Sequence, residues 1–309
     1  MRLIITGGLG HIGSGLLSNI NRIKNLKEII VFDSALKNKK NILFNLKINV
    51  KIRFIEHNIL SFDLTRIINN GDLVIHLAAI TNAAESFQIK KKLIKNNFLS
   101  TKKIVDISKK KKIRCIFFSS TSVYGSNDKV MYEDDFKNLN PQSPYAECKI
   151  REEKYIIKNA KKNKMNFVIL RLGTIYGVSP GMRFHTAVNK FCYQAALNKP
   201  LTIWKTALNQ KRPYLDLNDA IKCIKFIISK NLFNNNIFNV ITNNITLKNL
   251  LSIIKKYKKI KIKLVSNKIM NQLSYEASNK KILNYGFKAS GNLNLQIKKT
   301  LNLFKGLNS

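Results

Sequence analysis

Tyr145 and Lys149 stand four residues apart in "SPYAECKIREE", a stretch that reads as a helix start. Four residues is just over one helical turn, so the phenol and the ammonium share a face. A phenol has a pKa of about 10 and is a poor base at neutral pH. A cation close by favours the phenolate and pulls it toward working range, which suits proton transfer between an alcohol and a ketone. In a lysine-rich chain the same spacing also arises between a packed tyrosine and a solvated lysine. The pair acquires meaning only from what accompanies it.

Two further stretches carry chemistry. "TGGLGHIG" (Thr6 to Gly13) places Gly7, Gly10 and Gly13 at G-x-x-G-x-x-G spacing between an apolar run and a helical pattern. Glycines there let the backbone turn tightly and approach a pyrophosphate at a helix start, the pattern of a dinucleotide site. Asp33 closes the second apolar run twenty residues after Gly13. An acid at that place accepts the ribose hydroxyls of NAD and repels the 2′-phosphate of NADP, although Lys37, Lys39 and Lys40 follow. "FSSTSVYG" (Phe118 to Gly125) puts Ser120 at the end of another apolar run, as a hydroxyl that can orient a substrate oxygen.

Elements must bring these pieces to one edge. The runs "RLIITG", "EIIVFD", "VKIRFIEHN", "LVIHLAA", "IRCIFFSS" and "NFVILRL" read as buried parallel strands. Helical stretches begin near Ile12, Leu36, Phe62, Ile89 and Tyr145. Such alternation predicts an α/β fold, a Rossmann-like doubly wound parallel sheet, and ligands at the carboxyl ends of its strands. Past residue 178, helix "TAVNKFCYQAALNKP", strand "LTIW", helix "DAIKCIKFIISK", strand "IFNVI" and a Thr246-capped helix "TLKNLLSIIKKY" follow. The expected organisation is a dinucleotide-binding domain over 1–177, with a return segment near 213–241. A smaller mixed α/β C-terminal substrate lobe takes most of 178–309.

Composition sets outer bounds. With 309 residues, 45% of them apolar, the chain can bury a large core. Cys115, Cys148, Cys192 and Cys223 are scattered, which argues against a disulfide framework and a zinc site, and no metal is expected. No apolar leader and no membrane-length run appear, so the chain reads as a cytoplasmic protein. The net charge of +38 invites a nucleic-acid reading. Only nine of the cations are arginines, and the lysines travel with Asn and Ile, as A/T-rich codons would produce; specific nucleic-acid recognition is not expected. The charge still attracts anionic substrates to a concave site.

Taken in order, the motifs resemble the extended short-chain dehydrogenase/reductases, within them the NAD-dependent epimerase/dehydratase group acting on nucleotide sugars. The resemblance runs nearly end to end, through Thr6–Gly13, Asp33, "HLAA" at His76–Ala79, Asn97, "SSTSVYG" and Tyr145/Lys149. It continues through "LRLGTIYG" (Leu170–Gly177), "QKRPYLDLNDA" (Gln210–Ala220) and "NKKILNYGF". It implies Tyr145 as the proton-moving group, Lys149 as the residue that lowers its pKa and holds the nicotinamide ribose, and Ser120 as the orienting hydroxyl. Gly7, Gly10, His11, Ile12, Gly13 and Asp33 would bind NAD, as would Asn58, Ile59, Leu77, Ala78, Ala79 and Asn97. Arg212 matches an arginine on the substrate diphosphate, and Thr81, Ser120 and Thr174 fall at substrate positions. Arg183 and His185, in "SPGMRFHTAVNKF", stand where the substrate lobe begins and suit a phosphate or an acidic sugar.

Departures from the pattern narrow the activity. Sugar 4,6-dehydratases carry an acid and a base just after the residue matched by Ser120, and here Thr121 and Ser122 stand there. UDP-sugar 4-epimerases usually have Asn where this chain has Thr174. A second phosphate-binding arginine is missing from "LVSNKIMNQLSYEASNKK", leaving Lys263 or Lys268 as point charges. The expectation is an NAD-dependent nucleotide-sugar epimerase, with a ketosugar reductase or dehydratase of the same family as the enzymatic alternative. The non-enzymatic alternative is a dinucleotide-binding or basic nucleic-acid-binding protein. The resemblance also implies a homodimer through a helix pair.

Overall fold

Runs of Ile, Val, Leu and Phe with no polar alternation form strands covered on both faces, and they frame this molecule. The computed structural model describes residues 1–36, 39–44, 46–266 and 274–307. The chain opens with β1 (Arg2–Thr6), α1 (His11–Leu17), β2 (Glu28–Asp33), β3 (Lys51–Glu56) and β4 (Leu73–His76). Then come α2 (Lys90–Lys110), β5 (Arg114–Ser120), the short β6 (Val130–Met131), α3 (Pro144–Asn163), β7 (Asn166–Leu172) and β8 (Thr174–Tyr176). α4 (Ala187–Ala196), β9 (Leu201–Trp204), β10 (Lys211–Asp216), α5 (Leu217–Ser229), β11 (Asn236–Val240) and β12 (Asn243–Thr246) continue the chain. It closes with α6 (Leu247–Lys255), β13 (Ile262–Val265), β14 (Glu276–Ala277), α7 (Lys280–Asn284) and α8 (Leu293–Asn302).

Seven strands make one parallel sheet in the order β3-β2-β1-β4-β5-β7-β11. The order reverses between β1 and β4, so the crevice for a ligand opens where Thr6 and His76 end their strands side by side. Successive side chains of β1 separate onto the two faces. Leu3 and Ile5 join a core with Leu16 of α1 and Ile221 and Ile224 of α5, while Ile4 joins Ile104 of α2 and Ile156 of α3. This is the doubly wound α/β fold. A three-stranded sheet β12-β10-β8 and a β13–β9 pair, with α4, α6 and α8, build a smaller mixed region around Tyr176, Tyr214 and Ile297. Among the described residues no helix is long and apolar enough to cross a membrane.

Two expected helices are absent from the described residues. Near Leu36 the chain has Ala35 in the left-handed region (φ 49°) and then only a 3-10 turn over Lys40–Leu43. The segment is rich in Asn, whose side chain competes for backbone hydrogen bonds. Near Phe62 the Asp63 carboxylate accepts from Thr65 N at 3.1 Å and closes a 3-10 turn over Leu64–Arg66 instead. The β4 strand also stops at His76, not Ala79. Leu77 and Ala78 leave the sheet across Gly7, where a Cβ would lie 2.6 Å from Ala78 N. Lys37 and Lys268 lie outside the described residues.

Candidate active site

The glycine turn and Asp33 lie at the carboxyl ends of β1 and β2, while α3 packs against β5 and the turn that follows it. At the end of β1, Gly7 takes φ +71° and its N–H donates to Phe32 O at 2.8 Å, which folds the turn onto β2. Gly10 is the residue before α1, and its N–H donates to Gly7 O at 3.1 Å. Asp33 ends β2 with Oδ2 accepting from Leu9 N and Oδ1 from Ala35 N, both at 3.0 Å. Each carboxylate oxygen keeps a lone pair for a further donor. Lys40 is paired with Glu56 at 2.7 Å, and Lys39 donates to Gly181 O at 3.3 Å.

A strap from the start of the smaller region lies across this turn. His11 Nε2–H donates to Gly177 O at 2.8 Å, Ser179 Oγ to His11 O at 2.9 Å, and Gly181 N to Ser14 Oγ at 2.9 Å. The approach is close enough that a Cβ on Gly181 would lie 2.6 Å from Leu9 O and Gly10 O. Ile12 and Gly13 are buried in α1 beneath it. The His11 ring is thus taken up by the strap, and burial, followed by the charge of Arg183, lowers its pKa to about 4. It is neutral at pH 7 and positions the turn.

Asn97 is hydrogen-bonded to the loop that follows β4. It is buried in α2, its Oδ1 accepts from Ile80 N and its Nδ2 donates to Ile80 O, both at 2.8 Å. Its Oδ1 also accepts from Asn96 Nδ2 at 3.0 Å, and one Nδ2 hydrogen remains, so the amide ties down the loop at Ile80 and keeps a donor. Asn58 is exposed past β3, with Oδ1 accepting from Leu60 N at 2.9 Å, and Ile59 beside it is buried.

Ser120 ends β5. Its Oγ accepts from Ser122 N at 3.2 Å and from Ser122 Oγ at 2.9 Å. Both lone pairs are filled, so the Ser120 proton is the part left to engage another oxygen. Thr121 turns into the core, where its hydroxyl donates to Leu172 O at 3.3 Å and lies 3.1 Å from Tyr275 Oη.

Tyr145 sits in the first turn of α3. Ser143 caps that turn, its Oγ accepting from Ala146 N at 3.2 Å, and Pro144 pre-sets the backbone. Lys149 Nζ lies 6.0 Å from the Tyr145 ring centroid. The sequence predicts a phenol pulled down by this lysine. The structure adds a larger opposing effect: burial raises the Tyr145 pKa above its ordinary value, with Lys149 and then Arg183 countering. Lys149 is itself only 5% exposed and is bound at 2.9 Å to Glu152 Oε2, a residue sequence reasoning passed over. Burial works against the Lys149 charge, yet the Glu152 carboxylate and then Tyr145 hold the ammonium above its ordinary range. Glu152 follows Lys149 by three, a spacing that puts both on one helix face; in "KIREE" the adjacent Glu153 obscured it.

The substrate candidates divide. Arg183 lies between β8 and α4, hydrogen-bonds Thr81 Oγ1 and faces Tyr145 electrostatically. Its Nε is buried without a hydrogen-bond partner, and burial lowers its pKa. His185 is exposed two residues on. Thr174 and Arg212 belong to the small sheet, where Thr174 pairs with Tyr214 in β8–β10 register. Lys263 is exposed on β13.

Comparison with known proteins places this arrangement. The family model described as the NAD dependent epimerase/dehydratase family matches residues 3–240. The ADP-L-glycero-D-manno-heptose-6-epimerase of Brachyspira hyodysenteriae is 30% identical over 250 residues, 78% of this chain and 76% of that protein. The structure of UDP-glucuronic acid 4-epimerase from Bacillus cereus in complex with NAD matches with TM-score 0.86 at 24% identity, covering 99% of each chain. DesIV, a dTDP-glucose 4,6-dehydratase from Streptomyces venezuelae with NAD and TYD bound, matches with TM-score 0.88 at 21% identity, covering 99% of this chain and 97% of that one. At those identities the structures share the fold. The family match takes in the glycine turn, Asp33, Ser120, the α3 turn and the whole seven-stranded sheet, and the chain belongs to the NAD dependent epimerase/dehydratase family.

Proposed function

We propose that this protein is an NAD-dependent nucleotide-sugar epimerase that works by transient oxidation of a sugar alcohol to a ketone. The observation that carries this reading is the turn after β5. Ser120 has only its proton to offer, Ser122 is committed to Ser120, and Thr121 is committed to the core. The turn can orient an oxygen but holds no carboxylate to eliminate water from a sugar.

The cofactor residues fit NAD. Gly7 and Gly10 let the turn before α1 close tightly against Leu77 and Ala78, the fold a diphosphate site needs, and Asp33 has one lone pair free on each oxygen for the two ribose hydroxyls. With Lys40 engaged by Glu56, the carboxylate keeps its bias against a 2′-phosphate. NAD held there by the glycine turn and Asp33 would supply a reversible hydride acceptor. Tyr145 takes the proton from the sugar hydroxyl and gives it back to the opposite epimer. Ser120 donates to the same oxygen as it gains carbonyl character, and Lys149 supplies positive charge beside the phenolate. Arg183 with Thr81, and Arg212 with Thr174, bind the anionic and polar parts of the substrate.

Two features favour an isomerase over a net reductase. The strap hydrogen-bonded across the glycine turn opposes cofactor exchange, which a reductase needs in every cycle. The heptose epimerase, similar over 78% of this chain, is an isomerase of a nucleotide sugar. The test is incubation of purified protein with ADP-, UDP- and dTDP-sugars, with products identified by NMR. An epimer formed with no net change in nicotinamide absorbance is expected. A 4-keto-6-deoxy product, or stoichiometric cofactor reduction or oxidation, overturns the reading.

A further inference from the structure

Behind the proposed proton-transfer pair, the carboxylate of Glu152 makes three contacts. Oε2 accepts from Lys149 Nζ at 2.9 Å and from Thr101 Oγ1 at 2.9 Å, and Oε1 accepts from Cys148 Sγ–H at 3.4 Å. Glu152 is 5% exposed, so these contacts replace water around the charge. Thr101 reaches it from α2, and Cys148 and Lys149 from the preceding turn of α3. A surface carboxylate at this spacing would contribute little; a buried one fixes both the place and the charge of its lysine.

We infer that Glu152 is a positioning residue of the active site: it anchors the Lys149 ammonium at the base of α3's first turns and sets how readily Tyr145 ionises. The inference rests on the reading of Tyr145 and Lys149 as the proton-transfer pair. Its sense follows from charge. A negative carboxylate behind Lys149 offsets the ammonium as Tyr145 sees it and disfavours a second anion nearby. The groups facing this cluster are Lys149, Glu152 and Cys148 on α3, Arg183 from the strap side, and His76 on β4. Glu153, also on α3, is engaged by Arg171. His76 lies 2.8 Å from Thr6 Oγ1, and burial, then Lys149, lowers its pKa to about 3, so it stays neutral through the working range. Arg183 keeps its charge, and the Cys148 thiol is pushed up to about 12 by burial. Glu152 is therefore the anion positioned to oppose phenolate formation. Without it, the phenolate becomes the anion that Lys149 attracts.

Titration of Tyr145 itself tests this without needing turnover. With saturating NAD, the phenolate absorbance of wild type minus Tyr145→Phe is compared with Glu152→Gln minus the double variant Glu152→Gln/Tyr145→Phe. The Tyr145 midpoint is expected to fall by about one pH unit in Glu152→Gln. In Glu152→Asp, which keeps the charge, it is expected to stay at the wild-type value. An unmoved midpoint in Glu152→Gln overturns the inference, as does a Glu152→Asp midpoint displaced as far as that of Glu152→Gln. If Glu152→Gln does not fold, Glu152→Asp decides alone: a wild-type midpoint supports the inference and a displaced one overturns it. Full turnover in Tyr145→Phe would instead overturn the catalytic reading, and the titration would still report on Glu152.

Discussion

Glu152 and Glu153 are consecutive on α3, equally buried, and each faces a cation, yet they serve different ends. Glu153 takes Arg171 in a two-point contact, Nε to Oε1 at 3.0 Å and Nη2 to Oε2 at 2.7 Å. The guanidinium is fully buried, and its Nη1 also donates to Tyr124 Oη and to Glu133 O. Every atom of that pair is spent inside the protein. Glu152 takes a lysine, a point charge on a flexible stem, and leaves it beside a phenol at the sheet edge. A buried ion pair closed on all sides is a staple, and one with an open side can act on what enters. One residue, about 100° around the helix, separates the two.

That contrast can be broken in several ways. The largest effect belongs to the open side: Tyr145→Phe is expected to lower turnover by about 10³-fold, or about 4 kcal/mol, while NAD binding and melting temperature stay near wild type. Steady-state kinetics beside calorimetry checks this, and an active variant sinks the mechanism. The next belongs to the closed side. Glu153→Gln leaves Arg171 buried without its counter-charge and is expected to cost about 3–4 kcal/mol in denaturant unfolding, with the pH dependence of any remaining activity unchanged. A Glu153→Gln protein that melts like wild type would erase the distinction.

An acid with no cation sharpens it further. Asp216, before α5, is 1% exposed; its Oδ1 accepts from Asn218 N at 2.8 Å and its Oδ2 has no partner. Burial pushes its pKa up to about 6, with nearby Asp219 adding to the effect. The folded state thus binds a proton more tightly than the unfolded chain, and ionisation costs stability above pH 6. Asp216→Asn keeps the helix cap and removes the charge, so it is expected to gain about 1–2 kcal/mol at pH 7.5. The gain should fade as pH falls through 6 toward 4, which melting curves at three pH values would show. A gain that persists at pH 4 would mean the charge is not its source.

Much of this was legible in the sequence because it depends on short-range pattern. The apolar runs became the parallel sheet, and Thr246 caps α6 with Oγ1 accepting from Asn249 N at 3.1 Å, as its position before "LKNLL" predicts. The four-residue spacing likewise put Tyr145 and Lys149 on one helix face, with Lys149 Nζ 6.0 Å from the phenol ring centroid. What short-range pattern does not carry is how side chains find distant partners. The Asn97 amide bonds the backbone of Ile80, from another loop, through both its oxygen and its nitrogen. Glu152 is enclosed by Thr101 of α2, 51 residues earlier in the chain, which no local pattern shows. The expected helices near Leu36 and Phe62 fell to local chemistry, a left-handed Ala35 and a side-chain cap at Asp63, that apolar periodicity does not register.

The seventh strand carries a consequence for how the molecule is made. β11 pairs with β7, from Asn236 opposite Val168 to Val240 opposite Leu172. Asn239 in its middle donates from its backbone to Glu133 Oε1 at 2.8 Å and accepts from Tyr124 Oη at 2.7 Å. Those partners belong to the Arg171 staple, and they are synthesised about a hundred residues before Asn239 emerges from the ribosome. Until then β7 is an unpaired edge and Glu133 is a carboxylate without its amide. In chain order, α4, β9, β10 and α5 all come before the strand that covers this edge, so a chain cut before β11 leaves β7 with one side unpaired.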